Sequence, residues 1–331
     1  MDAAKQVVGG PFFDDLRVGQ IVDGAPSLTL TEGLAALHGA IVGDRLRLAL
    51  DRELSRRVLG APIAHPALVW DVAIGQSTLI TQRVIANLFY RGLMFRRFPH
   101  IGDTLRTTTE VVALRQNRAR PGRAATGLAA LRVRTIDQEG RAVLDFWRCA
   151  MLPLHDAQGL TAHDADLENI PSVLDAGAMR GAIEGWHLDA FRAEAPGPHF
   201  ADLTPAQSWE VVGGDVVSAA PELARLTLNV AMAHHDAGSA GRLVYGGHTI
   251  GLAAAQAARA IPNLVTIVAW HGCDHVAPVR EGDTLRSTIE LERAEALPGG
   301  GGLVHLRSRM RADHEGGPRE VLDWRFIGVM A

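Results

Sequence analysis

Cysteine, lysine and long apolar runs are all scarce in this chain of 331 residues. Cys149 and Cys273 are the only cysteines, too few for a disulfide framework or a cysteine-built zinc site. Lys5 is the only lysine among 33 basic residues, a bias that follows genome composition rather than partner choice. With 37 acidic residues the formal net charge is −4, the wrong sign for a protein that works by neutralising nucleic-acid phosphates. No uninterrupted apolar stretch reaches the ~18 residues of a membrane span, and Met1–Lys5 lacks a basic-then-apolar leader pattern. The expectation is a cytoplasmic protein with neither membrane nor nucleic acid as partner. Gly10, Gly43 and Gly60 fall in no P-loop or GxGxxG pattern, so nucleotide-dependent redox or phosphoryl chemistry has no support.

What is present is an ordinary globular composition, 47% hydrophobic and 21% charged. At roughly 100–200 residues per domain the length suits two units, and the text repeats itself. Residues 101–110 (IGDTLRTTTE) match residues 281–290 (EGDTLRSTIE) at seven of ten positions, 180 residues apart. Gly92 faces Gly272 at the same offset, and Val143-Leu144-Asp145-Phe146 resembles Val321-Leu322-Asp323-Trp324 at an offset of 178. Three landmarks in one order mark a duplicated unit.

Each unit opens on a short segment (Phe12-Phe13-Asp14-Asp15-Leu16, then Phe200-Ala201-Asp202-Leu203) and continues into a helix. The first helix is expected over about 67–80. The second, over about 247–261, is rich in alanine and has small side chains on all sides, which suits close wrapping by a sheet. Residues 104–112, 131–136, 284–291 and 303–310 mix apolar, β-branched and charged residues as half-buried strands do. Gly140 and Gly316-Gly317-Pro318 supply turns before the last strands. Both Gly-Asp-Thr-Leu stretches read as turns whose aspartates accept backbone N–H bonds. The organisation expected is residues 1–152, a linker with one short helix at 153–196, and residues 197–331, each repeat an α+β unit with one long helix against antiparallel strands.

These landmarks, with a helix opening Tyr245-Gly246-Gly247-His248, resemble the hotdog fold of MaoC-like (R)-specific enoyl-CoA hydratases. Two fused copies resemble the double-hotdog members, which include mesaconyl-CoA (β-methylmalyl-CoA) hydratases and a group of mycobacterial proteins. The resemblance covers nearly the whole chain outside the linker. It implies hydration or dehydration of an acyl-CoA thioester, with the CoA belonging to the substrate and no metal or other cofactor. A double hotdog already contains the pairing of two single hotdogs, so monomer and homodimer both stay open.

The family's signature, roughly G-D-x-N-P-L-H-x-D, maps onto residues 229–236 in the second repeat. There His234 takes the catalytic histidine position and Asp236 the trailing acid, while Asn229 stands where the family has aspartate. Gly247 falls at the glycine whose N–H donates to the oxyanion, and Gly246 replaces the histidine before it. The first repeat keeps Asp44, but Ala49 replaces the histidine and the helix opens His65-Pro66. Proline has no N–H to donate, so that copy reads as degenerate.

Hydration needs a base for water, a proton for C2 and a donor for charge building on the thioester oxygen. The resemblance assigns His234 as base and acid, Asn229 as a positioning group that cannot itself carry a proton, and Gly247 as donor. Asp236, Gly246 and His248 are candidate substrate contacts, and Arg118 and Arg120 in a basic loop are candidates for the CoA phosphates. The alternative is a catalytically silent acyl-CoA-binding protein. Thioesterase chemistry is weaker, because 247–261 carries no carboxylate. His271, Asp274 and His275 read as a satisfied polar strand beside the pocket and not as a metal site; alternation puts His271 and His275 on one face.

Overall fold

A computed structural model describes residues 8–236, 241–313 and 317–331. The residues Met1–Lys5 and Gly316, used in the sequence reading, lie outside the described residues. The strands, in chain order, are β1 (Ile21–Val22), β2 (Leu28–Thr29), β3 (Ala86–Phe95), β4 (Thr104–Gln116), β5 (Thr126–Ile136), β6 (Ala142–Pro153), β7 (Ser208–Glu210), β8 (Asp215–Val216), β9 (Leu264–His275), β10 (Thr284–Ala296), β11 (Gly302–Ala312) and β12 (Arg319–Met330). They form one antiparallel sheet in the order β1-β4-β5-β6-β3-β9-β12-β11-β10-β7, with β2 beside β4 and β8 beside β10. The order is the same read outward from its centre in either direction. The centre is the β3–β9 ladder, which sets Phe89 opposite Asp274 and Met94 opposite Ala269 and so joins the two repeats.

A helix runs in the hollow of each half. The first, Pro66–Gln76, buries every residue, and the second, Gly246–Ala260, is buried from Gly247 to Ala258. A helix enclosed on all sides needs no polar face, which is why neither shows a hydrophilic stripe in sequence. The 67–80 expectation spans two elements, because helix gives way to a 3-10 turn at Ser77–Thr81. Between the halves Trp70, Trp270 and Trp324 pack edge to face, with Trp70–Trp270 centroids 4.8 Å apart.

The duplicated text has duplicated physical roles. Phe13 and Phe200 sit over Gly127 and Gly302, where a Cβ would approach their rings to 2.4 and 2.0 Å. Arg132 pairs side-on with Asp145, and Arg307 does the same with Asp323. The two Gly-Asp-Thr-Leu stretches are turns: Asp103 accepts from the His100 N–H and Asp283 from the Arg280 N–H. Residues 153–196 carry two short helices, Ala176–Gly181 and Leu188–Glu194, where one was expected. Their apolar residues Met179, Leu188 and Phe191 join the main core, so this connection is packed structure with too few residues per helix to show a period.

The first helix also grips the second repeat. A Cβ on Gly75 would lie 1.8 Å from the carbonyl oxygen of Thr227, and the Thr78 hydroxyl accepts a 2.9 Å bond from the Val230 N–H. Gly75→Ala should therefore displace residues 227–230 and cost about 1–3 kcal/mol, read as a lower midpoint in thermal or urea unfolding; a variant as stable as the parent would contradict this contact.

Candidate active site

The segment carrying Asn229 and His234 leaves the helix Ala220–Leu226 through a left-handed Leu228 (φ 60°). It is then pinned by the Thr78 hydroxyl and by the carbonyl of Gln82, which accepts from the Met232 N–H at 2.8 Å. Asn229 ties the segment from within. Its Oδ1 accepts from the Ala231 N–H at 3.0 Å, its carbonyl accepts from His235 Nε2 at 2.6 Å, and its Nδ2 is buried without a partner. The neighbouring histidines thus diverge, His235 onto the backbone and His234 into a pocket.

His234 Nδ1 lies 2.9 Å from the Leu243 carbonyl oxygen. A carbonyl only accepts, so Nδ1 carries the proton and Nε2 carries the lone pair. Burial holds the ring's pKa down to about 4, which keeps it neutral, hence able to take a proton, across the neutral pH range. Its ring is 5.6 Å from that of Tyr245, the residue immediately before the second central helix.

That helix begins without a side-chain cap, and the amides of Gly246 and Gly247 have no protein acceptor among the described residues. Such open N–H groups at a helix start attract negative charge. The first repeat differs. Pro66 has no N–H, and the next amide, Ala67, donates to His65 Nδ1 at 3.0 Å. His65 Nε2 in turn meets Asp44 at 2.7 Å, so the retained aspartate and the histidine are spent on each other.

The pocket encloses about 910 Å³ and draws its walls from both repeats. Thr78, Asn87, Tyr90 and Arg148 come from the first; Asn229, His234, Asp236, Tyr245, Gly246, His275 and Arg280 come from the second. The chain's two tyrosines both line it. Behind it, Asp71 of the first central helix accepts from the Tyr245 hydroxyl at 3.2 Å and from His38 at 2.9 Å. Burial raises the Asp71 pKa, against the lowering pull of His38. Asp71 stands so near the second helix that a Cβ on Gly247 would be 2.0 Å from its Oδ1.

No family model matches the chain. A mesaconyl-CoA hydratase of Cereibacter sphaeroides is 30% identical over 311 residues, 90% of this chain and 88% of the relative. A β-methylmalyl-CoA dehydratase of Chloroflexus aurantiacus is 28% identical over 97% of both chains. A solved structure from Mycobacterium tuberculosis, described as having a double-hotdog fold and as essential for bacterial survival during infection, is 54% identical. It superposes with a TM-score of 0.93 over 98% of this chain and all of that one. The chain belongs to the MaoC-like double-hotdog hydratase family.

Within this double hotdog the sequence candidates separate. His234, Asn229, Asp236 and Gly246 meet at one pocket, Asp236 at its exposed rim. Gly247 stands one residue behind Gly246, buried against Asp71 and outside the lining. His248 is fully buried, has no partner on either ring nitrogen among the described residues and also lies outside the lining. Arg118 and Arg120 are exposed in the β4–β5 loop, away from the pocket walls, whereas Arg280 is part of them. Among the described residues no three His, Cys, Asp or Glu side chains are grouped as a metal site, and no helix is long and apolar enough to cross a membrane.

The strand reading of His271 and His275 needs correction. A bulge in β9 pairs Gly272 with Arg325 and Trp270 with Phe326, leaving His271 as the extra residue. The bulge reverses the alternation. His271 contacts His305 at 3.0 Å, while His275 lines the pocket with its Nε2 buried and unpartnered. Arg148 and Asp71 escaped the sequence reading altogether, and Tyr245 entered it only as part of the helix opening. The available signal was a charge inside an apolar run: Asp71 within ALVWDVAIG, Arg148 within FWRCAML.

Burial holds His234, His248 and His275 each down to about 4. The unfolded chain protonates such rings near 6.5, so it binds more protons than the native state between those values. Stability contributed by keeping these rings neutral is therefore complete above pH 6.5 and lost as pH falls toward 4, with a slope approaching about 4 kcal/mol per pH unit for three such groups. Urea unfolding at a series of pH values measures it; a flat profile over that window would contradict these neutral rings.

Proposed function

We propose that the protein reversibly hydrates an enoyl-CoA to a 3-hydroxyacyl-CoA at the second-repeat site. The supporting observation is that the lone pair of His234 and the open start of the second central helix meet at one pocket. Water adds its oxygen to C3 and gives a proton to His234 Nε2. The electron pair displaced from the double bond moves onto the thioester oxygen, held by the Gly246 amide at the pocket wall. The imidazolium then returns its proton to C2, so one residue serves as base and acid within a turnover. Dehydration runs the same steps backward. Asn229 contributes by holding the His234 segment in shape through Ala231 and His235, and no step calls for a metal or redox cofactor.

The pocket wall narrows the acyl group. Arg148 is 3% exposed, donates only through Nη2, to Ser77 O and Thr81 Oγ1, and has no carboxylate partner among the described residues. Burial lowers its pKa. A buried cation without a counter-charge is costly, and an acyl chain with its own carboxylate would supply one. Mesaconyl, the acyl group named in one relative, is of that kind. Arg280 at the rim suits the CoA phosphates better than Arg118 or Arg120.

Loss of the enoyl-thioester absorbance, followed with crotonyl- and mesaconyl-CoA, tests both points. His234→Ala should lower kcat by about 10²–10⁴-fold, and turnover equal to the parent's would remove the assignment. Arg148→Met should weaken mesaconyl-CoA more than crotonyl-CoA, by at least about tenfold in kcat/KM; equal losses on both would remove the carboxylate reading. Binding of both thioesters by the parent without turnover would favour the silent alternative, which the Asn229 substitution motivates.

A further inference from the structure

The Gly247 amide lies behind the pocket wall, so the helix start brings one amide, that of Gly246, to an anionic oxygen, whereas developing charge of this kind is ordinarily met by more than one preorganised donor. The pocket offers a second group that the mechanism above does not use. His275 ends β9 with its ring laid over the first residue of the central helix: a Cβ on Gly246 would be 2.6 Å from His275 Nε2. Nε2 is buried against that helix and makes no hydrogen bond. Nδ1 makes no hydrogen bond among the described residues and, unlike Nε2, is not fully buried, so it is the nitrogen that can face the pocket His275 lines.

We propose that His275 donates a hydrogen bond from Nδ1 to the thioester oxygen, completing the oxyanion site that the Gly246 amide begins. The inference rests on the hydration reading and adds a catalytic residue to it. The helix start is the positive end of the helix dipole, so the nitrogen facing it keeps its lone pair and the proton resides on the other. Burial and the neighbouring His234 hold the ring's pKa down to about 4. The imidazole is therefore neutral with one N–H, the form that polarises a carbonyl without surrendering its proton. No bond to His275 is made or broken, and the proton traffic remains with His234. The β9 bulge at His271 is what turns this ring inward; unbroken alternation would carry it to the opposite face.

Two readouts decide it. Steady-state kinetics on crotonyl- and mesaconyl-CoA should show His275→Leu losing about 10²-fold in kcat with KM little changed, and His275→Asn, whose Nδ2 donor sits where Nδ1 was, recovering at least tenfold. The infrared C=O stretch of bound butyryl-CoA labelled with ¹³C at the thioester carbon should fall below that of the free thioester in the parent protein. It should stay low in His234→Ala and return toward the free value in His275→Leu. If the leucine variant does not fold, His275→Ala, which has no donor, takes its place. Parent-like kcat in the variant, or a stretch identical in parent and variant, overturns the proposal. Should the parent hydrate neither substrate, the hydration reading fails on its own account, while the carbonyl stretch still tells whether His275 reaches the bound thioester.

Discussion

The approach of the two central helices sets the rest of the molecule. Neither helix has a solvated side, so each can be buried only where the other helix and the enclosing sheet leave room. The small residues sit at those contacts. Gly247 rests against Asp71, and Gly75 against the Thr227 carbonyl. Larger side chains there would push the repeats apart and open the pocket wall they share. The Asp71–Tyr245 and Asp71–His38 bonds then hold the polar atoms that such tight burial would otherwise strand, as interiors of this density require.

The duplication has been resolved into a division of labour. At the second helix the amides are open and the His234 ring shares the pocket in front of them. At the first, proline removes one amide, His65 occupies the next, and Asp44 occupies His65. The first copy has nevertheless kept its influence. Its 3-10 turn holds the segment bearing Asn229 and His234, and its strands bring Tyr90 and Arg148 to the pocket. A copy that no longer offers its own helix start has become the frame for the other.

Much of this was legible in the residues. Repeated Gly-Asp-Thr-Leu text located both turns, and the apolar or alanine-rich stretches located both helices, because burial on all sides leaves a one-dimensional mark. The spacing from Asn229 to His234, with the glycine pair downstream, led to the pocket. What stayed hidden came from contacts between distant segments. Strand alternation placed His271 and His275 together until a one-residue bulge separated them. Asp71 and Arg148 belong to elements that looked purely structural, and their part depends on which cavity the folded sheet turns them toward. His248 is adjacent to the right helix start, yet the half-turn of helix between it and Gly246 rotates it out of reach.

The β3–β9 ladder carries a further meaning for how this site persists. Where two separate subunits must meet to build a cavity, the cavity comes apart on dilution, and every change to the shared surface is felt twice. Here the meeting edge is closed within one polypeptide, so the local concentration of one half around the other is fixed by the tether and not by how much protein is present. The integrity of the pocket is then a unimolecular property, and each half is free to change sequence without imposing the same change on its twin.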